Sequence, residues 1–230
     1  RIVTQNLVIA QHLTLRGAGP TNHILEAFSC RHILVQSNIT AQLEGLSLIH
    51  GNPFVMDAIN YEIKSGGAIL NYGTLAVTGC IFRGNSAGAG GAIIIGPGLN
   101  GGWGGAIYSR GVLTLDRCAF YANQAGTGSA GMSFSIGGTG GSGGALYAAT
   151  SCTMNACVFI GNHAGNGGFG QANMSFGTPG IGGDGGSGGA IFAASNIVLL
   201  NCTMATNVAG NGGDGASYNS NPGTRGSGGS

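Results

Sequence analysis

The residues able to do chemistry are few: six cysteines, five histidines and seven carboxylates in 230 residues. Four of the histidines, His12, His23, His32 and His50, fall in the first 65 residues, and His163 stands alone. None shows the His-x-x-x-His or similar spacing that places two ligands on one metal, so turn and outward positions are expected for them. Polysaccharide cleavage needs two carboxylates flanking one bond. Asp116 has Arg117 beside it, with Arg83 and Arg110 elsewhere in the repeats, but no second acid. Asp57 and Glu62 are close in sequence but lie in an irregular insert. Gly182-Gly183-Asp184-Gly185 and Gly212-Gly213-Asp214-Gly215 look like calcium turns but lack the G-G-x-G-x-D-x-U-x spacing. They read as Asp in glycine turns. The sequence therefore predicts no enzyme, no cofactor and no metal. Asn38-Ile39-Thr40, Asn173-Met174-Ser175 and Asn201-Cys202-Thr203 are glycosylation sequons, common by chance.

The other chemically distinctive residues sit in a repeat. Gly66–Gly88 reads GGAILNYGTLAVTGCIFRGNSAG and recurs in phase at Gly104–Gly126, Gly143–Gly165 and Gly188–Gly210. Each copy opens Gly-Gly-Ala and continues with Ile69, Ile107, Leu146 or Ile191. The tenth and twelfth residues are apolar. The fifteenth is Cys80, Cys118, Cys157 and Cys202; the seventeenth Phe82, Phe120, Phe159 and Met204; the twentieth Asn85, Asn123, Asn162 and Asn207. Alternation by two signals strands. The break in phase between positions 12 and 15 signals a corner. Short strands and turns repeated without gaps describe an all-β, right-handed parallel β-helix, one rung per repeat. Each sequence column becomes a ladder at about 4.8 Å spacing: asparagine amides bonding along the stack, phenylalanines stacking inside, cysteines filling the core as free thiols. Parallel side chains aim poorly for disulfides, and no histidine joins the cysteine column to favour a metal.

The GGA[IL] and FxxN motifs, carried by residues such as Gly66-Gly67-Ala68-Ile69 and Phe82–Asn85, resemble the repeats of chlamydial polymorphic outer membrane proteins. They also resemble the wider set of bacterial parallel β-helix surface proteins. The resemblance covers about Leu43 to Gly210, and the fourth FxxN is weakened to Met204–Asn207. It implies a secreted, surface-exposed, passenger or adhesin-like region. It does not carry over the export route.

Two parts of one continuous domain are expected: irregular rungs over 1–65, then the four rungs with their insertions over 66–230. Strand pieces in the first part are Ile2-Val3, Leu7–Ile9, Leu13–Leu15, His32–Val35 and Leu46–Ile49, enough for two to three imperfect rungs. The glycine-rich insertions, Ala89–Trp103, Thr127–Ser142, Asn166–Ser187 and Asn211–Ser227, all leave the rung at one point and must emerge along one edge. They are either flexible surface loops or segments that pack on the solenoid or a neighbour. Their apolar residues Trp103, Met132, Phe134, Phe169, Met174, Phe176 and Tyr218 are the candidate interaction residues. A target for packing exists in the outward column Leu70, Tyr108, Tyr147 and Phe192.

Only 7% of residues are charged and the net charge is +1, against roughly 25% charged in ordinary domains. Such a surface tends to associate. The eight scattered Lys and Arg residues make no nucleic-acid stripe. No apolar run reaches the roughly 20 residues of a membrane span. The chain starts at Arg1 without a methionine or signal-like segment, and a processed product or fragment is expected. Gly226–Ser230 parallels Gly141–Ala145 and Gly186–Ala190, as if a fifth repeat began there. The expectation is an extracellular or cell-surface structural subunit of a fibre or layer, self-associating head to tail or laterally. The alternative is an adhesin binding glycans or a surface receptor. A polysaccharide-degrading enzyme is the least supported reading.

Overall fold

A computed structural model describes residues 2–53, 61–91, 95–132, 135–172 and 178–230. Its strands form three parallel sheets of seven, six and six strands, in which every strand between the two ends of a sheet pairs with its counterparts one rung before and after. The molecule is a right-handed parallel β-helix. One rung comprises Ile69–Asn71, Thr74–Thr78 and Ile81–Arg83; the next comprises Ile107–Ser109, Leu113–Asp116 and Ala119–Tyr121. The same three sheets run through the first 49 residues, with two strands that the sequence reading did not single out, Ile24–Ala27 and Thr40–Glu44. Thr40–Glu44 alternates strictly but carries only Ala41 and Leu43 as apolar residues, and Ile24–Ala27 does not alternate. The single helix among the described residues is the one turn Tyr61–Lys64. No described helix is long and apolar enough to cross a membrane.

The phase break between positions 12 and 15 is a corner made by one left-handed residue. It is Gly79 in the first copy, then Arg117, Ala156 and Asn201, with φ between 50° and 57°. A second left-handed corner falls just before the asparagine column, at Gly84, Ala122, Gly161 and Thr206. Inside the tube, Ile69, Leu75, Val77 and Phe82 and their counterparts in the next two rungs are buried into one continuous core; in the last rung Ile191 and Ile197 are half-buried and Leu199 and Met204 exposed.

The insertions are not free loops. They form a second stack beside the solenoid. Each has an outgoing and a returning arm, and neighbouring returning arms are hydrogen-bonded every third residue. Gly137, Gly140 and Gly143 donate from N–H to the carbonyls of Ile181, Asp184 and Ser187 at 2.8–2.9 Å. A period of three is that of extended polyproline II chains, which have no internal hydrogen bonds to use. Glycine fills the positions where arms meet. One zipper runs Gly88, Gly102, Gly126, Gly141, Gly165, Gly186, Gly210, Gly229, each N–H donating to the previous carbonyl at 2.7–2.8 Å. A Cβ on Gly165 would stand 1.9 Å from the Gly126 oxygen, so no other residue fits.

This stacking corrects the register inferred at the chain's far end. Ser230, not Ser227, lies over Ser187, its N–H reaching the Ser187 hydroxyl at 3.3 Å, while Ser227 lies over Asp184.

Candidate functional site: the ladders and the covered aromatic face

The asparagine column is continuous. Asn85 Nδ2 donates to Asn123 Oδ1 at 3.0 Å, Asn123 to Asn162 at 2.9 Å, and Asn162 to Asn207 at 2.9 Å. The second Nδ2 hydrogen of each goes to a carbonyl of the previous rung, Leu48 for Asn85 and Phe82 for Asn123. The Oδ1 of Asn123, Asn162 and Asn207 also accepts the backbone N–H of the asparagine before it, at 3.0 Å, and that of Asn85 accepts the Gly51 N–H at 2.9 Å. A buried amide in mid-column thus uses both donors and both lone pairs. Phe82, Phe120 and Phe159 stack with centroids 4.7 and 4.6 Å apart and rings within 5° of parallel. Met204 continues their column in register and is exposed.

Cys80, Cys118 and Cys157 are buried, Cys202 is half-buried, and all six cysteines are free thiols. Burial pushes Cys80 up to about 11 and Cys152 up to about 12. The neighbouring Cys157 thiol, with burial, pushes Cys118 up further, and the proximity of Cys118 lowers Cys157.

On the opposite side of the sheet wall, the column Leu70, Tyr108, Tyr147 and Phe192 is not left open. Trp103 leaves the first returning arm and stacks on Tyr147 at 4.6 Å, with Tyr108 at 6.1 Å. Tyr108 is 2% exposed in consequence. Glu62 closes the edge, accepting from Arg110 Nη1 at 2.6 Å and from the Tyr108 hydroxyl at 3.4 Å. Trp103 therefore covers the molecule's own aromatic face. The other candidate interaction residues divide. Met132 and Phe169 are exposed on the insertion stack and Tyr218 is half-buried. Phe134, Met174 and Phe176 lie outside the described residues, as does Asp57.

The histidines do not all face outward. His32 is 1% exposed, its Nε2 donating to the Leu25 carbonyl at 2.9 Å while Nδ1 has no partner. Burial lowers its pKa to about 4. Nothing in the local spacing distinguishes it; the signal was its place beside the core strand Ile33–Val35. His50 pairs with Glu26 at 3.0 Å. Asp116 is bound by Arg117 at 2.8 Å and by Asn155 Nδ2 at 2.8 Å. Asp184 Oδ1 accepts the Ser227 N–H at 2.7 Å, and Asp214 faces Arg225 at 3.4 Å. Both act as partners within the insertion stack. Among the described residues, no three His, Cys, Asp or Glu side chains converge on a point.

Two residues that the sequence reading passed over are buried cations at the helical turn Tyr61–Lys64. Arg31 donates to the carbonyls of Ile63, Ser65 and Gly66 at 2.7–2.9 Å. Lys64 Nζ reaches the Asn100 carbonyl at 3.1 Å. They tie the helical turn and the first returning arm to the solenoid.

No family model, curated protein or solved structure matches this chain.

Proposed function

We propose that this chain is an extracellular structural protein, a β-solenoid segment of a surface fibre or layer that associates along its axis. The observation that carries this reading is the doubling of the stack. A solenoid and a glycine zipper advance together, rung by rung, and nearly every polar group singled out from the sequence serves that stacking. Asp116, Glu62, Asp184 and Asp214 are each held by a partner within the fold. That arrangement suits a stiff rod better than a reaction centre. The terminal rungs support axial association: Leu7 and Leu13 are exposed at one end, Leu199 and Met204 at the other. Such faces accept another rung, from the same polypeptide or from a second copy. The similarity of the GGA[IL] and FxxN motifs to chlamydial polymorphic outer membrane proteins supports a cell-surface location.

Negative-stain microscopy and sedimentation of the 230-residue chain test the reading. Rods longer than one molecule, lengthening with concentration, are expected. A monomer at every concentration overturns axial association. In that case the exposed Phe169, Met132 and Ile181 of the insertion stack favour the second reading, an adhesin that stacks aromatic side chains on surface glycans. A glycan array then becomes the deciding measurement.

A further inference from the structure

The thiol column is more regular than core filling requires. Cys80, Cys118, Cys157 and Cys202 each donate from Sγ to the carbonyl two residues back, at 3.4, 3.4, 3.4 and 3.3 Å. The same bond at the same length means the same rotamer in every rung. The following strands pair Ile81 with Ala119, Ala119 with Val158, and Val158 with Thr203. The cysteines therefore stand one above another. Like rotamers in register repeat at the strand spacing of about 4.7–4.9 Å, and the phenylalanine rings two residues on stack at 4.7 and 4.6 Å.

That spacing decides between two fates for paired thiols. A disulfide is about 2 Å long, so both sulfurs would have to leave their rotamers and close more than half the gap. Zinc, a d10 ion, bonds thiolate sulfur at about 2.3 Å in tetrahedral sites, and two metal–sulfur bonds in line bridge a gap of nearly this size where a disulfide does not. Zinc prefers four ligands, and no three candidate ligands converge among the described residues. Soft sulfur ligands select Cu(I), which accepts two donors in line.

We propose that neighbouring thiols of this column, Cys118 and Cys157 foremost, hold a soft monovalent cation of the Cu(I) class between rungs. The step balances without redox change. One S–H bond breaks, its proton goes to solvent, and two metal–sulfur bonds form, one to a thiolate and one to a neutral thiol. The product has no net charge, as a dry core demands. Cys152 and Met154, buried in the rung of Cys157, add further sulfur to that stretch of core.

The test supplies Cu(I), held by bicinchoninate as competing chelator, to the reduced chain without oxygen, both after folding and during refolding. Native mass spectrometry should find at least one copper per chain, each replacing one proton. X-ray absorption should find two sulfur neighbours, at the short distance of two-coordinate Cu(I), and no nitrogen or oxygen ligand. Replacing both Cys118→Val and Cys157→Val should lower the copper count, whereas Cys30→Ser, outside the column, should leave it unchanged. The native chain gives a reading free of any folding defect: loading should raise its melting temperature. Failure to retain copper by either route, a count unchanged by the valine pair, or an unchanged melting temperature in a loaded chain overturns the proposal.

Discussion

The Asn123 side chain makes four hydrogen bonds to three residues that are themselves buried, Asn85, Phe82 and Asn162. Asn123→Ala should therefore destabilise the chain by roughly 1–3 kcal/mol, because it leaves neighbouring amide groups dry and unpaired. Asn100, exposed on a returning arm with one bond to the Thr139 N–H, should cost under about 1 kcal/mol as alanine. Equal losses in urea melts would count against the ladder as the source of stability. His32 gives a second test at this scale. Its pKa is about 4 in the fold and 6.5 by default, so the folded state binds fewer protons between those values. Its contribution is complete above pH 6.5 and is lost as pH falls from 6.5 towards 4, about 3 kcal/mol over the window. His32→Gln keeps a donor for the Leu25 carbonyl and should flatten the acid limb of the stability profile. An unchanged slope would assign that limb to other groups. The asparagine, phenylalanine and cysteine columns were legible because identical residues recur at one position. His32 was not, because it occurs once, and its burial follows from the strand beside it.

The rungs are joined by left-handed corners, and the copies disagree on how to make them. Gly79, Gly84 and Gly161 adopt positive φ freely, while Ala122 and Ala156 hold φ of 50° and 51° at about 1–2 kcal/mol each. Ala122→Gly and Ala156→Gly should raise stability by up to about 1 kcal/mol after the extra chain entropy of glycine is subtracted. The zipper glycines predict the reverse. Gly165→Ala places a methyl group 1.9 Å from the Gly126 carbonyl oxygen and should cost about 3 kcal/mol. Gly79→Ala meets nothing within 4 Å and violates only φ, so it should cost about 1–2 kcal/mol. A thermal series ranking Gly79→Ala worse than Gly165→Ala would mean that conformation, not contact, explains the glycines. The corners could be read from the phase break between positions 12 and 15. The stacked arms could not, because glycine in a loop and glycine in a zipper look alike until the opposing chain is placed. The triplets Ile181-Gly182-Gly183 and Asp184-Gly185-Gly186 held that information, but only as spacing between residues with no side chains to compare.

At the scale of the whole molecule, two stacks of different chemistry must share one rise. The solenoid buries apolar side chains; the insertion stack has glycine at its contacts and gains mainly hydrogen bonds and close backbone packing. Neither can slip by a rung without breaking the other. Trp103 adds a direct tie, anchored on one stack and stacked on Tyr147 of the other. Repeat proteins behave as nearest-neighbour chains, and here each rung has two neighbours' interfaces in parallel, so opening one should require opening both. Native-state hydrogen exchange reads this directly. The amides of Gly126, Gly141, Gly165 and Gly186 donate at 2.7–2.8 Å within the zipper. They should exchange as slowly as the strand amides of Phe120 and Phe159 in the same rungs, with closely matching opening free energies. Loop-like exchange at the glycines beside protected strands would mean that the insertion stack opens independently, and the stiffness proposed for the rod would then rest on the solenoid alone.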